Sequence, residues 1–226
     1  MQFPVIFALI TTAIASPVPI PAEPALVKPV LVERQTGTIS NELTLGPCRD
    51  IIFIFARGST EPGNMGIVVG PGVADQLKLR LGETRVAVEG VDYAALLSTN
   101  YLPGGTDAAS EEAMKTLLNL ANTKCPDSQI LTGGYSQGGA VNHRAIEDMP
   151  QAIKDKIKGV VLFGDTQKTA EGSQIRGFPT SKTDFFCDNG LDQVCNGVLS
   201  AAVLAPHLSY GLNAVEAGNW LADRVA

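Results

Sequence analysis

Apolar runs and helical repeats alternate along the chain from about residue 50 onward. The run Ile51–Ala56 is continuously apolar, which is typical of a strand buried on both faces. Val73, Leu77 and Leu81 follow at i, i+4 and i+8, and this spacing predicts a helix within 72–82. The next stretch, TRVAVEGV, predicts a second strand.

A longer helix is predicted between the second and third strands. Residues 106–124 read TDAASEEAMKTLLNLANTK, with Thr106 or Asp107 as the N-cap because their side-chain oxygens accept hydrogen bonds from free backbone N–H groups. One face of this helix is apolar and is expected to pack on the core, through Ala113, Leu117, Leu118 and Ala121.

The second half of the chain continues the alternation. Strands are predicted at 128–136 and 157–166, a helix at 137–149, and a last helix from about Leu212 to Val225. Strands that alternate with helices form parallel sheets covered on both faces. We therefore expect a three-layer α/β/α sandwich around a central, mainly parallel sheet.

The first 34 residues do not share this pattern. An apolar run that ends in the small-x-small sequence AIA predicts a signal peptide over 1–15, and hence a secreted protein. This run is too short to span a bilayer, and no other stretch is long enough. Residues 16–34 are rich in proline and predict a propeptide or linker. Residues 35–226 are then one domain.

Composition excludes one class of partner. With 45% hydrophobic and 18% charged residues the chain is able to bury a core. Its net charge is −6, whereas proteins that bind nucleic acid carry basic surfaces. We therefore expect no nucleic-acid partner, and a monomer is the default assumption.

The stretch GGYSQGGAV, residues 133–141, surrounds one serine with glycines. Its spacing does not match a dinucleotide loop, and no GK[ST] follows. It does contain G-x-S-x-G from Gly134 to Gly138, between a predicted strand and a predicted helix. In such a nucleophile elbow the turn is so sharp that residues two positions either side of the serine collide unless they lack side chains. Ser136 is thus the candidate nucleophile.

A serine hydroxyl needs a base, and the chain has two histidines. His143 lies two helical turns beyond Ser136, too far along the axis, and is interpreted as a partly solvated helix residue. His207 lies in a predicted loop near the C-terminus and satisfies the order serine, acid, histidine of this class of elbow. His207 is therefore the candidate base.

The acid is expected between these two residues. The candidates are Asp165, Asp184, Asp188 and Asp192. Asp192 is preferred because two cysteines flank its loop, and a rigid carboxylate orients the imidazole and stabilises the imidazolium. Asp188, in the same loop, is the second choice, and Asp165 is expected to cap a turn.

Two donors are predicted for the oxyanion hole. One is the backbone N–H of Gln137, directly after the nucleophile. The second is Ser59, in the loop ARGSTEPGN that follows the first strand.

The four cysteines predict two disulfides, since an even number in a secreted chain is typical of cross-linking. Three pairings are possible. The short separation of Cys187 and Cys195 suits a local loop, which leaves Cys48 with Cys125. A zinc site is disfavoured because no CxxC occurs. We expect neither a metal nor an organic cofactor.

Together these segments resemble the fungal cutinases, small serine esterases of the α/β-hydrolase fold. The resemblance extends from about Cys48 onward and rests on CRDIIFIFARGSTEPGNMG, GGYSQGGAV, the Cys187–Cys195 loop and LAPHLSYG. It implies a Ser136–Asp192–His207 triad, an oxyanion hole from Ser59 and Gln137, and the same two disulfides. The spacing from Asp192 to His207 is slightly longer than is usual in the family.

The resemblance also implies a lidless site for an insoluble polyester or lipid-like ester such as cutin. Several apolar residues lie in predicted loops, and if they are exposed they would form an apolar rim suited to such a substrate. We expect substrate contacts from Leu96, Leu97, Val198, Leu199, Val203 and Leu204. Residues 35–47 are the only stretch without a predicted element that could cover the site. The alternatives are an acetylxylan or other small-ester esterase and a non-catalytic secreted binding protein.

Overall fold

The computed structural model describes residues 36–225, apart from the side chains of Asn189 and Val203. The predicted signal peptide over 1–15 and the predicted propeptide or linker over 16–34 lie outside the described residues, as do Gln35 and Ala226. No helix within the described range is both long and apolar enough to cross a bilayer.

A single parallel sheet forms the centre of the described domain. Its strands are β1 Ile51–Ala56, β2 Val86–Gly90, β3 Gln129–Tyr135, β4 Ile157–Phe163 and β5 Thr183–Phe186. They pair in the order β2-β1-β3-β4-β5. The four strands predicted from the sequence are confirmed. The fifth, β5, was not predicted, because it has only four residues, three of them half-buried, and lacks a continuous apolar run.

Helices connect and flank these strands, namely α1 Glu42–Leu45, α2 Gly70–Leu81, α3 Ala108–Lys124, α4 Gln137–Asp148, α5 Gln151–Lys156, α6 Ala205–Leu208 and α7 Ala214–Ala222. The predictions for α2, α3, α4 and α7 are confirmed. The side chain of Asp107 caps α3 by accepting from the N–H of Ser110 at 2.7 Å. Three helices of four to six residues escaped prediction because they are too short to show a helical period.

The two faces of the sheet carry separate apolar layers. Along β1, Ile52 and Ile54 pack with Leu118 of α3 and Val141 of α4. The alternate residues, Phe53 among them, face the opposite side, where α2 and α7 cover the sheet. This alternation follows from the two-residue period of a strand. The predicted three-layer α/β/α architecture is therefore confirmed.

The segment before β1 is fastened beside β2. The buried carboxylate of Glu89 accepts from the backbone N–H groups of Leu43 at 2.8 Å and Thr44 at 3.1 Å. The ammonium of Lys124 donates to the carbonyl of Leu43 at 2.7 Å. None of residues 36–47 lines the cleft described below, so the described part of this segment does not cover it.

Candidate active site

Ser136 stands in the turn between β3 and α4 with φ 55° and ψ −118°, a conformation that side chains disfavour. Glycine is required on both sides of it. A Cβ at Gly138 would lie 1.9 Å from the carbonyl oxygen of Ala56, and one at Gly134 would lie 2.3 Å from that of Gly138. The predicted strand–turn–helix context of G-x-S-x-G is thus present.

His207 contacts Asp192 in the buried wall beside this turn. Nδ1 of His207 and Oδ2 of Asp192 are 2.8 Å apart, and both residues are almost fully buried. Oδ1 of Asp192 accepts from the N–H of Val194 at 2.9 Å. Burial alone would raise the pKa of Asp192, but the hydrogen bonds from His207 and Tyr210 outweigh it and hold this pKa below its usual range. The carboxylate is therefore charged at neutral pH.

The loop that carries Asp192 is closed by a disulfide. Cys187 and Cys195 are bonded, and so are Cys48 and Cys125, which confirms both predicted pairings. Among the four candidate acids, Asp192 is the one that contacts His207. Asp184 instead lies on β5 and accepts from the N–H of Phe185. The base was expected in a loop, but His207 lies within the short helix α6.

Two tyrosines that sequence reasoning did not single out hold the histidine and the acid. The ring of Tyr135 stacks on that of His207 with centroids 5.1 Å apart, and its hydroxyl donates to the His207 carbonyl at 2.9 Å. The hydroxyl of Tyr210 donates to Oδ2 of Asp192 at 2.7 Å. The sequence offers one indication of their roles, since Tyr135 directly precedes Ser136 and Tyr210 lies three residues after His207.

The interpretation of His143 as partly solvated is wrong. Its side chain is fully buried, and Nε2 lies 2.8 Å from Oδ2 of Asp165. The other carboxylate oxygen of Asp165 accepts from the N–H of Gln167 at 3.0 Å, which confirms that Asp165 caps a turn. A polar residue on the inner face of a helix gives no local sign of its partner, so only the fold reveals this pair.

Ser59 and Gln137 meet beside the nucleophile. The hydroxyl of Ser59 donates to Oε1 of Gln137 at 3.3 Å and accepts from Nδ2 of Asn100 at 2.8 Å. The amide of Gln137 also donates to the carbonyl of Leu96 at 3.0 Å. The side chain of Ser59 therefore contacts that of Gln137, whose backbone N–H is the other predicted oxyanion donor. Asn100, which sequence reasoning missed, donates to the Ser59 hydroxyl.

An open cleft of about 550 Å³ contains Ser136 and His207 in its wall. Of the expected rim residues, Leu97 and Leu199 line this cleft. Leu96, Val198 and Leu204 are exposed but lie outside its wall, and the side chain of Val203 lies outside the described residues. The wall contains further apolar residues that were not predicted, among them Ile67, Val68, Tyr101, Ala202 and Leu208.

A family model described as Cutinase matches residues 47–225. The chain belongs to the cutinase family. It is 47% identical over 219 residues to probable cutinase 3 of Neosartorya fischeri, with 96% of this chain and 94% of that protein covered. It is 45% identical to cutinase 3 of Emericella nidulans, with coverage of 97% and 96%.

Solved structures agree with this membership. A Trichoderma reesei cutinase in complex with a phosphonate inhibitor superposes with a TM-score of 0.71 at 33% identity, covering 84% of this chain and 81% of that one. An acetyl xylan esterase superposes with a TM-score of 0.62 at 19% identity, covering 79% and 100% of the two chains, which shows a shared fold alone. The chain is thus a cutinase-family carboxylic ester hydrolase.

In this cutinase-family site the loop that carries Ser59 is built around Glu61. One carboxylate oxygen of Glu61 accepts from the N–H of Gly58 at 2.7 Å. The other accepts from Ile67 at 2.8 Å and Val68 at 2.9 Å. The guanidinium of Arg57 also donates to the Glu61 carbonyl at 2.8 Å. The loop is therefore fixed before substrate arrives, which is the condition for efficient oxyanion stabilisation.

The described residues contain no cluster of histidine, cysteine, aspartate or glutamate side chains arranged to hold a metal ion.

Proposed function

We propose that this chain is a secreted serine esterase that hydrolyses the ester bonds of cutin, as well as short-chain esters, and that Ser136, His207 and Asp192 carry the reaction. One observation carries the proposal. A serine in a strained turn shares an open cleft with a histidine that contacts a buried, charged carboxylate. These are the parts that acyl transfer through a serine requires.

In the proposed mechanism His207 removes the hydroxyl proton of Ser136 as Oγ forms a bond to the ester carbonyl carbon. Asp192 stabilises the imidazolium that results. The oxyanion accepts hydrogen bonds from the N–H of Gln137 and from Ser59. His207 then returns the proton to the departing alcohol. Water, deprotonated by His207, attacks the acyl-enzyme and releases the acid while Ser136 regains its proton.

The proposed substrate is an insoluble polyester or lipid-like ester, taken up by a monomer. Support comes from apolar side chains around the cleft, with Leu97 57% and Ile67 55% exposed. Exposed apolar side chains of this kind mark interaction surfaces for apolar ligands. Secretion is supported by the apolar N-terminal run and by the two disulfides, which persist in oxidising compartments.

The deciding experiment compares initial rates on p-nitrophenyl butyrate, p-nitrophenyl palmitate and a cutin suspension, with Ser136→Ala as the control. We expect butyrate turnover and monomer release from cutin, both lost in the variant. Activity confined to acetyl esters would instead assign a carbohydrate esterase. Absence of activity on every ester would overturn the proposal.

A further inference from the structure

The chain carries no charged side chain between Asp192 and Glu216, although 18% of its residues are charged. This uncharged stretch includes His207 and continues well past it. A long neutral segment on a protein of net charge −6 is unusual at a surface, since surfaces are normally rich in charged side chains.

The part of this stretch after His207 is helical and displays one apolar face. Helix α6, a 3-10 turn over Tyr210–Asn213 and helix α7 follow one another with only Ser209 between the first two. The inner face buries residues such as Tyr210 and Ala214. The outer face exposes Leu208, Leu212 and Val215 by 53%, 87% and 58%. We call these three residues the apolar ridge.

The ridge begins in the cleft and leads out of it. Leu208, at its start, lines the cleft together with Ile67 and Val68. The turn that precedes Leu212 lies against that wall, since a Cβ added to Gly211 would be 2.9 Å from the carbonyl oxygen of Val68. Leu212 and Val215 do not line the cleft themselves but are exposed further along the same helical segment.

We propose that the apolar ridge of Leu208, Leu212 and Val215 is a docking surface for the aliphatic polyester outside the cleft, which holds the solid substrate against the enzyme while one ester enters. This inference rests on the proposed function. A cleft of about 550 Å³ accommodates only a short segment of a polymer, so the remainder must lie on the adjoining surface. Burial of Leu212 and Val215 against an aliphatic surface removes apolar area from water.

A second copy of this chain is the alternative occupant of such a face. The continuity of the ridge with the cleft through Leu208 favours the polyester, because a second copy packed on the ridge would obstruct the entrance that the substrate needs.

The test compares the wild type with the double variant Leu212→Ser, Val215→Ser. Leu45→Ser is the matched control, because Leu45 is 83% exposed on α1, at the end of the sheet where Cys48 and Cys125 precede β1 and β3. Adsorption to a polycaprolactone film, monomer release from cutin, and kcat/KM on soluble p-nitrophenyl butyrate are measured. For the double variant we expect adsorption and release to fall by about fivefold or more, with soluble turnover unchanged. Leu45→Ser is expected to match the wild type in all three.

Equal adsorption and release by the wild type and the double variant would overturn the docking surface. A parallel loss on the soluble ester would overturn it too, because the substitutions would then act on the catalytic centre. A wild-type dimer that the double variant dissociates, detected by sedimentation velocity, would assign the ridge to a second copy instead. Failure of the wild type to release monomers from cutin would count against the proposed function alone, since film adsorption reads the ridge without turnover.

Discussion

The hydroxyl of Tyr210 donates to Oδ2 of Asp192 at 2.7 Å, the same oxygen that contacts His207. Tyr210 is fully buried, and burial together with the neighbouring carboxylate raises its pKa far above the ordinary value. It therefore remains a protonated donor throughout the working range of an esterase. Asp192 thus has a permanent second partner that lowers its pKa independently of the imidazole.

Tyr210→Phe should raise the pKa of Asp192 and lower kcat/KM. The substitution removes one of the hydrogen bonds that lower the pKa of Asp192, so the carboxylate takes up a proton at a higher pH than before. A hydrogen bond to a charged group contributes roughly 1.5–3 kcal/mol, and we expect kcat/KM at neutral pH to fall by about tenfold. The measurement is kcat/KM on p-nitrophenyl butyrate across pH. Wild-type kcat/KM from the variant at every pH would contradict this role.

Gly138→Ala should abolish most activity through the backbone. The new Cβ would lie 1.9 Å from the carbonyl oxygen of Ala56, so the end of β1 and the turn at Ser136 must separate. A displacement of about 1 Å at a catalytic group typically costs about 100-fold in rate. The control is Gly37→Ala, where no atom lies within 4 Å of the added carbon. Wild-type rates from the Gly138 variant would show that the elbow tolerates a side chain there.

Removal of the two disulfides should have different effects, one mainly on stability and the other mainly on activity. Cys48–Cys125 spans 77 residues and Cys187–Cys195 spans 8. Chain-entropy estimates give about 4.5 kcal/mol for the longer loop and about 2.5 kcal/mol for the shorter. We expect Cys48→Ser, Cys125→Ser to lower the free energy of unfolding more. Cys187→Ser, Cys195→Ser should lower kcat more, because that loop positions Asp192. Urea unfolding and ester kinetics on both variants test this, and the reverse ranking would refute it.

Glu89 should make the fold more stable on mild acidification. Burial raises its pKa above the ordinary value, although hydrogen bonds from Thr44 and Leu43 act in the opposite direction. The folded state then binds a proton more readily than the unfolded chain. This group's contribution to the free energy of unfolding is therefore present below the ordinary glutamate pKa and lost as pH rises through the folded pKa.

The stability of wild type relative to Glu89→Gln should consequently be greater at mildly acidic pH than at neutral pH. Urea unfolding at both pH values measures the difference. Glu112→Gln, at an exposed glutamate, is the control and should show no such trend. A wild-type advantage that shrinks on acidification would contradict the argument.

Local patterns sufficed for most of the fold. Buried strands such as Ile51–Ala56 and the long helix Ala108–Lys124 are recognisable in the sequence because their apolar side chains follow the pattern of a buried strand or the period of a helix. Helices α1, α5 and α6 were not recognisable, because four to six residues complete too few helical turns, and β5 was not, because it has only four residues and lacks a continuous apolar run.

For the site, the sequence alone determined the candidate nucleophile Ser136 and the candidate pair Asp192 and His207. A sharp turn requires glycines at fixed positions around the serine, and this spacing is visible in the sequence. The motif in turn implies the chain order serine, acid, histidine, which limits the choice of acid and base. The residues predicted to contact the substrate match the cleft wall only in part. Leu97 and Leu199 lie in the wall, but Ile67, Tyr101 and Leu208 also lie there and were not predicted.

Only the tertiary structure decided which polar side chains contact one another around the site. His143 and Asp165, Tyr135 and the His207 carbonyl, and Tyr210 and Asp192 meet across turns and strands, with 72 residues separating Tyr135 from His207. Such contacts depend on how layers pack, and an isolated tyrosine or histidine carries no mark of the group it will face. The same holds for the apolar ridge, whose apolar residues are visible in the sequence but whose exposure beside the cleft is set by the burial of the opposite helix face.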